Sequence, residues 1–174
     1  MKVKDVMTSE TVKYCSPETN LIQASKIMKE ANRGALPVVD KDQKVIGIIT
    51  DRDIALSLAS KNAKEFADLC VDEILPSSKI HTIKPEDTIT DALREMRKNK
   101  IGRLPVTNKD GKLKGMISIN TLLSHAIQEK EDLGTVTARD ESLAKTIKTL
   151  FDRNNATKTT KKEKEAHLAE AMQF

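Results

Sequence analysis

The chain has 174 residues, enough for one ordinary domain or two small modules sharing a core. Aromatic residues make up only 2%, with no Trp, one Tyr and three Phe, which leaves nothing from which to build a base-stacking platform for single-stranded nucleic acid. Thirty Lys and Arg against 26 Asp and Glu give a net charge of +4, but the signs alternate along the chain, so the surface has some pull on anions without a nucleic-acid arm.

The first residues, Met1-Lys2-Val3-Lys4-Asp5, lack an apolar leader, and no stretch approaches the roughly 18 apolar residues of a membrane span. Cys15 and Cys70 show no metal-ligand spacing and no disulfide framework. A reducing, cytoplasmic setting is expected, with no membrane association and at least one buried free thiol. An extended stretch from Thr11 to Cys15 precedes Pro17, and Leu21, Ala24, Met28 and Ala31 then recur at helical spacing. Strands are predicted at Leu36 to Val39 and Val45 to Thr50, joined by a polar turn, with a helix after Thr50.

The same order then returns. A shift of 68 residues carries Gly47 onto Gly115, Pro17-Glu18 onto Pro85-Glu86, Ala24 onto Ala92, Met28 onto Met96, and Leu36-Pro37-Val38 onto Leu104-Pro105-Val106. The second copy has an extended stretch from Lys79 to Ile83, a helix carrying Ile89, Ala92 and Met96, and strands at Leu104 to Thr107 and Leu113 to Ser118 around the turn Asp110-Gly111. Each copy reads β-α-β-β-α, a small sheet with both helices on one face, which places the chain in the α+β class. One copy of about 55 residues buries too little surface alone, so the two are expected to pack with pseudo-twofold symmetry and two equivalent clefts. The expected division is repeat 1 over 1–68, repeat 2 over 69–128 and a helical C-terminal extension over 129–174.

The segment Gly47-Ile48-Ile49-Thr50-Asp51-Arg52-Asp53 carries the most chemistry. Thr50 as N-cap and Asp53 at the third helical position make a capping box, which is a complete structural account. The same pair also suits a ribose. An ionised Asp53 accepts from both hydroxyls of a vicinal diol, Thr50 adds a polar contact, Gly47 leaves room, and Arg52 with the helix N-terminus favours a nearby phosphate. Both accounts stand on the motif alone.

With its repeat, its two Leu-Pro-Val strands and this Gly47 to Asp53 run, the chain resembles over roughly residues 1 to 128 the tandem cystathionine-β-synthase (CBS) domain pair, or Bateman module. The resemblance implies an adenosine-containing ligand between the repeats: AMP, ADP or ATP first, S-adenosylmethionine or NAD behind them. It also implies a disk-shaped homodimer of two pairs. By position it assigns Thr50 and Asp53 to the ribose, Arg52 to the phosphate, and Ile80 and His81 of the other repeat to the adenine. The second site would use Thr8, Val12, Arg103 and Ser118. It departs from the pattern, because Thr121 stands where the carboxylate belongs, and is expected to be weaker or empty.

No nucleophile-base pair, paired carboxylates or phosphate loop is present, so no catalytic residue is assigned. His125 and His167 lack partners at metal spacing, and no metal site is assigned. In the extension, Glu141 to Phe151 places Leu143, Ile147, Leu150 and Phe151 on one helical face that must be covered by its own module, by a second subunit or by a partner. Residues 154–160 read as a linker, and Lys161 to Phe174 as a polar helix with Leu168, Met172 and Phe174 as its apolar contacts. Two functions compete: a non-catalytic nucleotide sensor, and a ligand-independent module that binds an unidentified target protein through dimerisation and the C-terminal helix.

Overall fold

The structure is a computed structural model and describes residues 1–10, 12–59, 63–75, 79–133 and 141–150. The first repeat contains helix α1 (Leu21–Glu30), strands β1 (Ala35–Val39) and β2 (Val45–Thr50), and helix α2 (Asp51–Leu58). After helix α3 (Ala63–Asp68), the second contains α4 (Ile89–Asn99), β3 (Arg103–Thr107), β4 (Leu113–Ser118) and α5 (Ile119–Leu133). Residues 141–150 form α6. The α+β class and the duplication therefore stand as read. Packing gathers the chain into a larger unit, Lys2–Asp87 with Leu104–Ile117, and a smaller one, Met1 with Thr88–Arg103 and Ser118–Phe174.

Helix α1 starts where Asn20 accepts from the Ile22 amide at 2.8 Å and buries Leu21, Ala24 and Met28 along one face. Past its end Asn32 is left-handed at φ +50°, as its repeat partner Lys100 is after α4 at φ +54°. Strand β1 pairs antiparallel with β2 from Ala35 opposite Thr50 to Val39 opposite Val45. Asp40 holds the intervening turn by accepting from the amides of Asp42 and Lys44, both at 2.9 Å, and Asn108 does the same for Asp110 and Lys112 at 3.1 and 2.8 Å.

The predicted first strand of each repeat contracts to one bridging residue. Cys15 donates to Pro37 O at 3.0 Å and accepts from Val39 N at 2.9 Å, parallel to β1, and Ile83 does the same with Pro105 at 3.1 Å and Thr107 at 2.9 Å. One step toward the N-terminus, the carbonyl of Lys13 or His81 would need the amide proton that Pro37 or Pro105 lacks, so neither ladder extends. Thr11 lies outside the described residues.

The segments that open the repeats are exchanged. Residues 69–72 bond to the start of the first repeat through Leu21 N to Leu69 O (3.0 Å), Val71 N to Thr19 O (2.9 Å) and Asp72 N to Pro17 O (3.0 Å). Leu69 and Val71 accordingly join the first repeat's core with Cys15, Leu21, Met28, Leu36, Val38 and Ile49. Reciprocally, Val3 N donates to Asp87 O at 2.9 Å and Lys4 N to Pro85 O at 3.0 Å. The two hairpin turns also bond to each other, Val45 N to Gly111 O at 3.0 Å and Leu113 N to Gln43 O at 3.2 Å. Those atoms are related by the same shift of 68, which is the pattern of a local twofold axis inside the larger unit.

In the smaller unit α6 docks on α4. Leu143 and Thr146 are buried, and Thr146 Oγ1 lies 3.4 Å from Leu93 O and 2.8 Å from Ser142 O. Of the three covers anticipated for this amphipathic face, the described residues 141–150 use their own module; Phe151, the linker at 154–160 and the helix at 161–174 lie outside the described residues. No helix among the described residues is long and apolar enough to cross a membrane.

Candidate functional site

At the corner where β2 becomes α2, the backbone turns from extended at Thr50 (φ −119°, ψ 160°) into the helix. The Asp53 amide donates to Thr50 Oγ1 at 3.2 Å, while Asp53 Oδ2 accepts from the Thr50 amide at 2.9 Å and from its hydroxyl at 2.6 Å. The capping box is therefore real. It consumes the Thr50 proton, so Thr50 orients Asp53 and keeps only acceptor capacity for a ligand, a narrower part than a freely donating hydroxyl.

The box leaves Asp53 Oδ1 without a protein partner among the described residues. A comparison inside the molecule shows what that means. Thr88 and Asp91 at the start of α4 make the same box, with Asp91 Oδ2 accepting from the Thr88 amide at 3.2 Å and hydroxyl at 2.6 Å. There the second oxygen is taken by Arg94 Nη1 at 2.9 Å. The bonds from Thr88, aided by Arg94, hold the Asp91 carboxyl below the usual range. One carboxylate is fully engaged as a cap; the other caps with one oxygen and offers its second.

Around Asp53, Arg52 is exposed and its guanidinium makes no ion pair among the described residues. Ile80 and His81 are half-buried in the extended run before Ile83, and no hydrogen bond joins them to Thr50 or Asp53. All five residues belong to the larger unit. The expectation that Gly47 leaves space for a ligand is corrected: a β-carbon there would stand 2.7 Å from Leu75 Cδ2, so Leu75 of the exchanged segment fills that space.

The second corner repeats the geometry without the charge. Ser118 Oγ and Thr121 Oγ1 are 2.9 Å apart, and the Thr121 amide donates to Ser118 Oγ at 3.1 Å. Arg103 begins β3 in the same smaller unit. Thr8 and Val12 lie in the larger unit, where Thr8 and Met116 exchange both backbone bonds at 2.9 Å. Gly115 is covered by Met7 Sδ and Thr8 O, each 2.8 Å from a would-be β-carbon.

Two features escaped the sequence reading. The ligand atoms of Cys70, Asp72 and Glu73 gather within 4.8 Å of one another, with Glu73 Oε1 accepting from the Cys70 amide at 3.0 Å, a side-chain arrangement that a 3-10 turn creates and spacing alone does not signal. His125 Nδ1 is buried without a partner among the described residues.

A family model described as "CBS domain" matches residues 3–60 and 71–127. The uncharacterized protein YlbB of Bacillus subtilis is 32% identical over 134 residues, covering 74% of this chain and 85% of that protein. Among solved structures, the CBS domain pair of protein MJ0100 in complex with 5′-methylthioadenosine and S-adenosyl-L-methionine superposes with a TM-score of 0.64 at 25% identity, over 75% of this chain and 98% of that one. CBSX2 of Arabidopsis thaliana in complex with AMP gives a TM-score of 0.62 at 26% identity, over 74% and 98%.

Proposed function

This chain belongs to the CBS domain family as a tandem pair, and on that premise we propose that it is a non-catalytic receptor for an adenine nucleotide held at the first repeat's Thr50–Asp53 corner. The observation that carries this reading is the one-sided cap: Asp53 spends Oδ2 on its own helix and keeps Oδ1, pre-aimed by Thr50, for a donor that the described residues do not supply. A ribose diol supplies two, and charge-assisted bonds to an ionised carboxylate are the strong kind. Arg52 and the α2 N-terminus then face the phosphate, and Ile80 with His81 the base. MJ0100 and CBSX2, whose bound ligands all contain adenosine, support that class. AMP, ADP and ATP rank ahead of S-adenosylmethionine because Arg52 offers a phosphate contact that S-adenosylmethionine cannot use; NAD, which also carries phosphate, is placed behind them on the family resemblance alone.

Occupancy is reported through a shift between two packings, to the extent that the ligand binds them unequally. A homodimer of pairs and a target protein that reads it belong to the same reading; sedimentation of the purified chain at twice its mass tests the first. The central test is calorimetric titration with AMP, ADP, ATP, S-adenosylmethionine and NAD on the native chain and on Asp53→Asn, which keeps a capping oxygen and removes the charge. Tight binding of at least one nucleotide, weakened tenfold or more by the substitution, is expected, with a stabilisation of about 2.7 kcal/mol at 100 times Kd. Silence with all five compounds, or equal affinity in the variant, rejects the reading.

A further inference from the structure

The two repeats differ where α6 sits. In the first, Ser25 turns its hydroxyl back to Leu21 O at 2.8 Å, and the Asp51 carboxylate covers Gly34, 2.8 Å from a would-be β-carbon. The equivalents in the second are apolar: Leu93 is fully buried on α4, and Ile119 replaces Asp51. Across the opening at Gly102 the nearest atom is Leu150 Cδ1 of α6, 3.8 Å from a would-be β-carbon. Gly102 also accepts the Ile119 amide at 2.9 Å, and Ile119 sits between Ser118 and the turn that carries Thr121. In the smaller unit a run of contacts thus joins Thr146 on Leu93 of α4, Leu150 on Gly102, and the Gly102–Ile119 bond beside the Ser118–Thr121 pair, with Leu143 buried on the same helix as Thr146 and Leu150.

We propose that α6 is a strap belonging to the second repeat, which fixes the Gly102–Ile119 corner and makes the geometry of the Ser118–Thr121 pair depend on its docking. The first repeat closes the same corner with its own Asp51 and has no such dependence. The importance of that pair for ligands rests on the nucleotide reading above; the strap itself does not. The test is residue-resolved amide hydrogen exchange on the full chain, native against Leu143→Asp and the milder Leu150→Ala. Exchange at Ile119 and along α4 should accelerate tenfold or more in Leu143→Asp and in the same direction in Leu150→Ala, with Asp51 and α2 unchanged. Equal acceleration at Asp51 and Ile119, or an unchanged Ile119 amide in either variant, overturns the strap; should Leu143→Asp not fold, Leu150→Ala decides alone. Titration of the same proteins with AMP, ADP, ATP, S-adenosylmethionine and NAD separates the two readings: silence with all five together with the expected exchange pattern keeps the strap and rejects the nucleotide.

Discussion

Thr50 with Asp53 and Ser118 with Thr121 stand at equivalent corners, on equivalent strands, in front of equivalent helices, and both pairs cap. Only the first carries a negative charge, and only there does capping leave a charged acceptor over among the described residues. The backbone of a duplicated fold is thus set by what the copies share, chiefly apolar spacing and turn chemistry, whereas binding capacity is set by single side chains that either copy can change without loss of the fold. That separation can be attacked at four levels.

The largest effects should be symmetric. Leu36 and Leu104 are both fully buried, so Leu36→Ala and Leu104→Ala should each cost about 2–5 kcal/mol. Urea unfolding should give values that agree within the scatter of such measurements. A core that tolerates one substitution and not the other would show that the repeats do not share the burden equally.

The glycines on β2 and β4 should break the symmetry. A β-carbon at Gly115 meets the Thr8 carbonyl at 2.8 Å, which is backbone, whereas at Gly47 it meets only the tip of the Leu75 side chain. Gly115→Ala should therefore cost about 1–3 kcal/mol, as overpacking does, and Gly47→Ala distinctly less because Leu75 can change rotamer. Equal midpoint shifts in denaturant would contradict this.

Much of this was legible in the amino-acid sequence, and what was not has physical reasons. Alternation and helical spacing place strands β1 to β4 within a residue of where they form, because both signals depend only on which side chains must be buried. The exchanged opening segments were invisible: a gapless repeat looks identical whether Val71 bonds to its own repeat or, as found, to Thr19 of the other. The first strands are shorter than expected because the sequence shows two extended stretches but not that they lie opposite Pro37 and Pro105, whose missing amides stop the ladders. At the corner the motif pointed to Asp53 as a capping carboxylate, yet nothing in one dimension says that Asp53 keeps one oxygen without a partner among the described residues while Asp91 gives its second to Arg94.

That distinction predicts a transplant. Thr121→Asp should recreate the one-sided cap in the second repeat and add a binding event absent from the native chain. Two charge-assisted bonds in place of one weak one are worth on the order of 1–3 kcal/mol, or one to two decades in affinity. Calorimetric stoichiometry with AMP or ADP should rise from one toward two. If it stays at one, residues beyond the carboxylate decide the asymmetry, and Arg103 against Ala35 at the head of the neighbouring strand becomes the next position to exchange.

The smallest effect concerns an ion cluster that only one half possesses. Lys2 and Lys4 converge on Glu86 at 2.6 and 2.9 Å, whereas the equivalent of Lys2 is Cys70 and that of Lys4 is Asp72. Hydrogen bonds from Lys2 first and Lys4 second lower the Glu86 carboxyl from 4.5 to about 2. A carboxyl depressed on folding contributes stability above its unfolded value and loses it as pH falls, so the contribution should be whole above about pH 4.5 and fade between there and pH 2. Because the three side chains are about half exposed or more, solvent screening keeps the contribution small and salt-sensitive. Native and Glu86→Gln proteins should then differ only slightly in thermal midpoint at neutral pH and low salt, and converge both at pH 2 and in 1 M salt. A difference that survives high salt would mean that Glu86 is held by packing of the exchanged N-terminal segment more than by charge, and the two halves would be more alike than their ion pairs suggest.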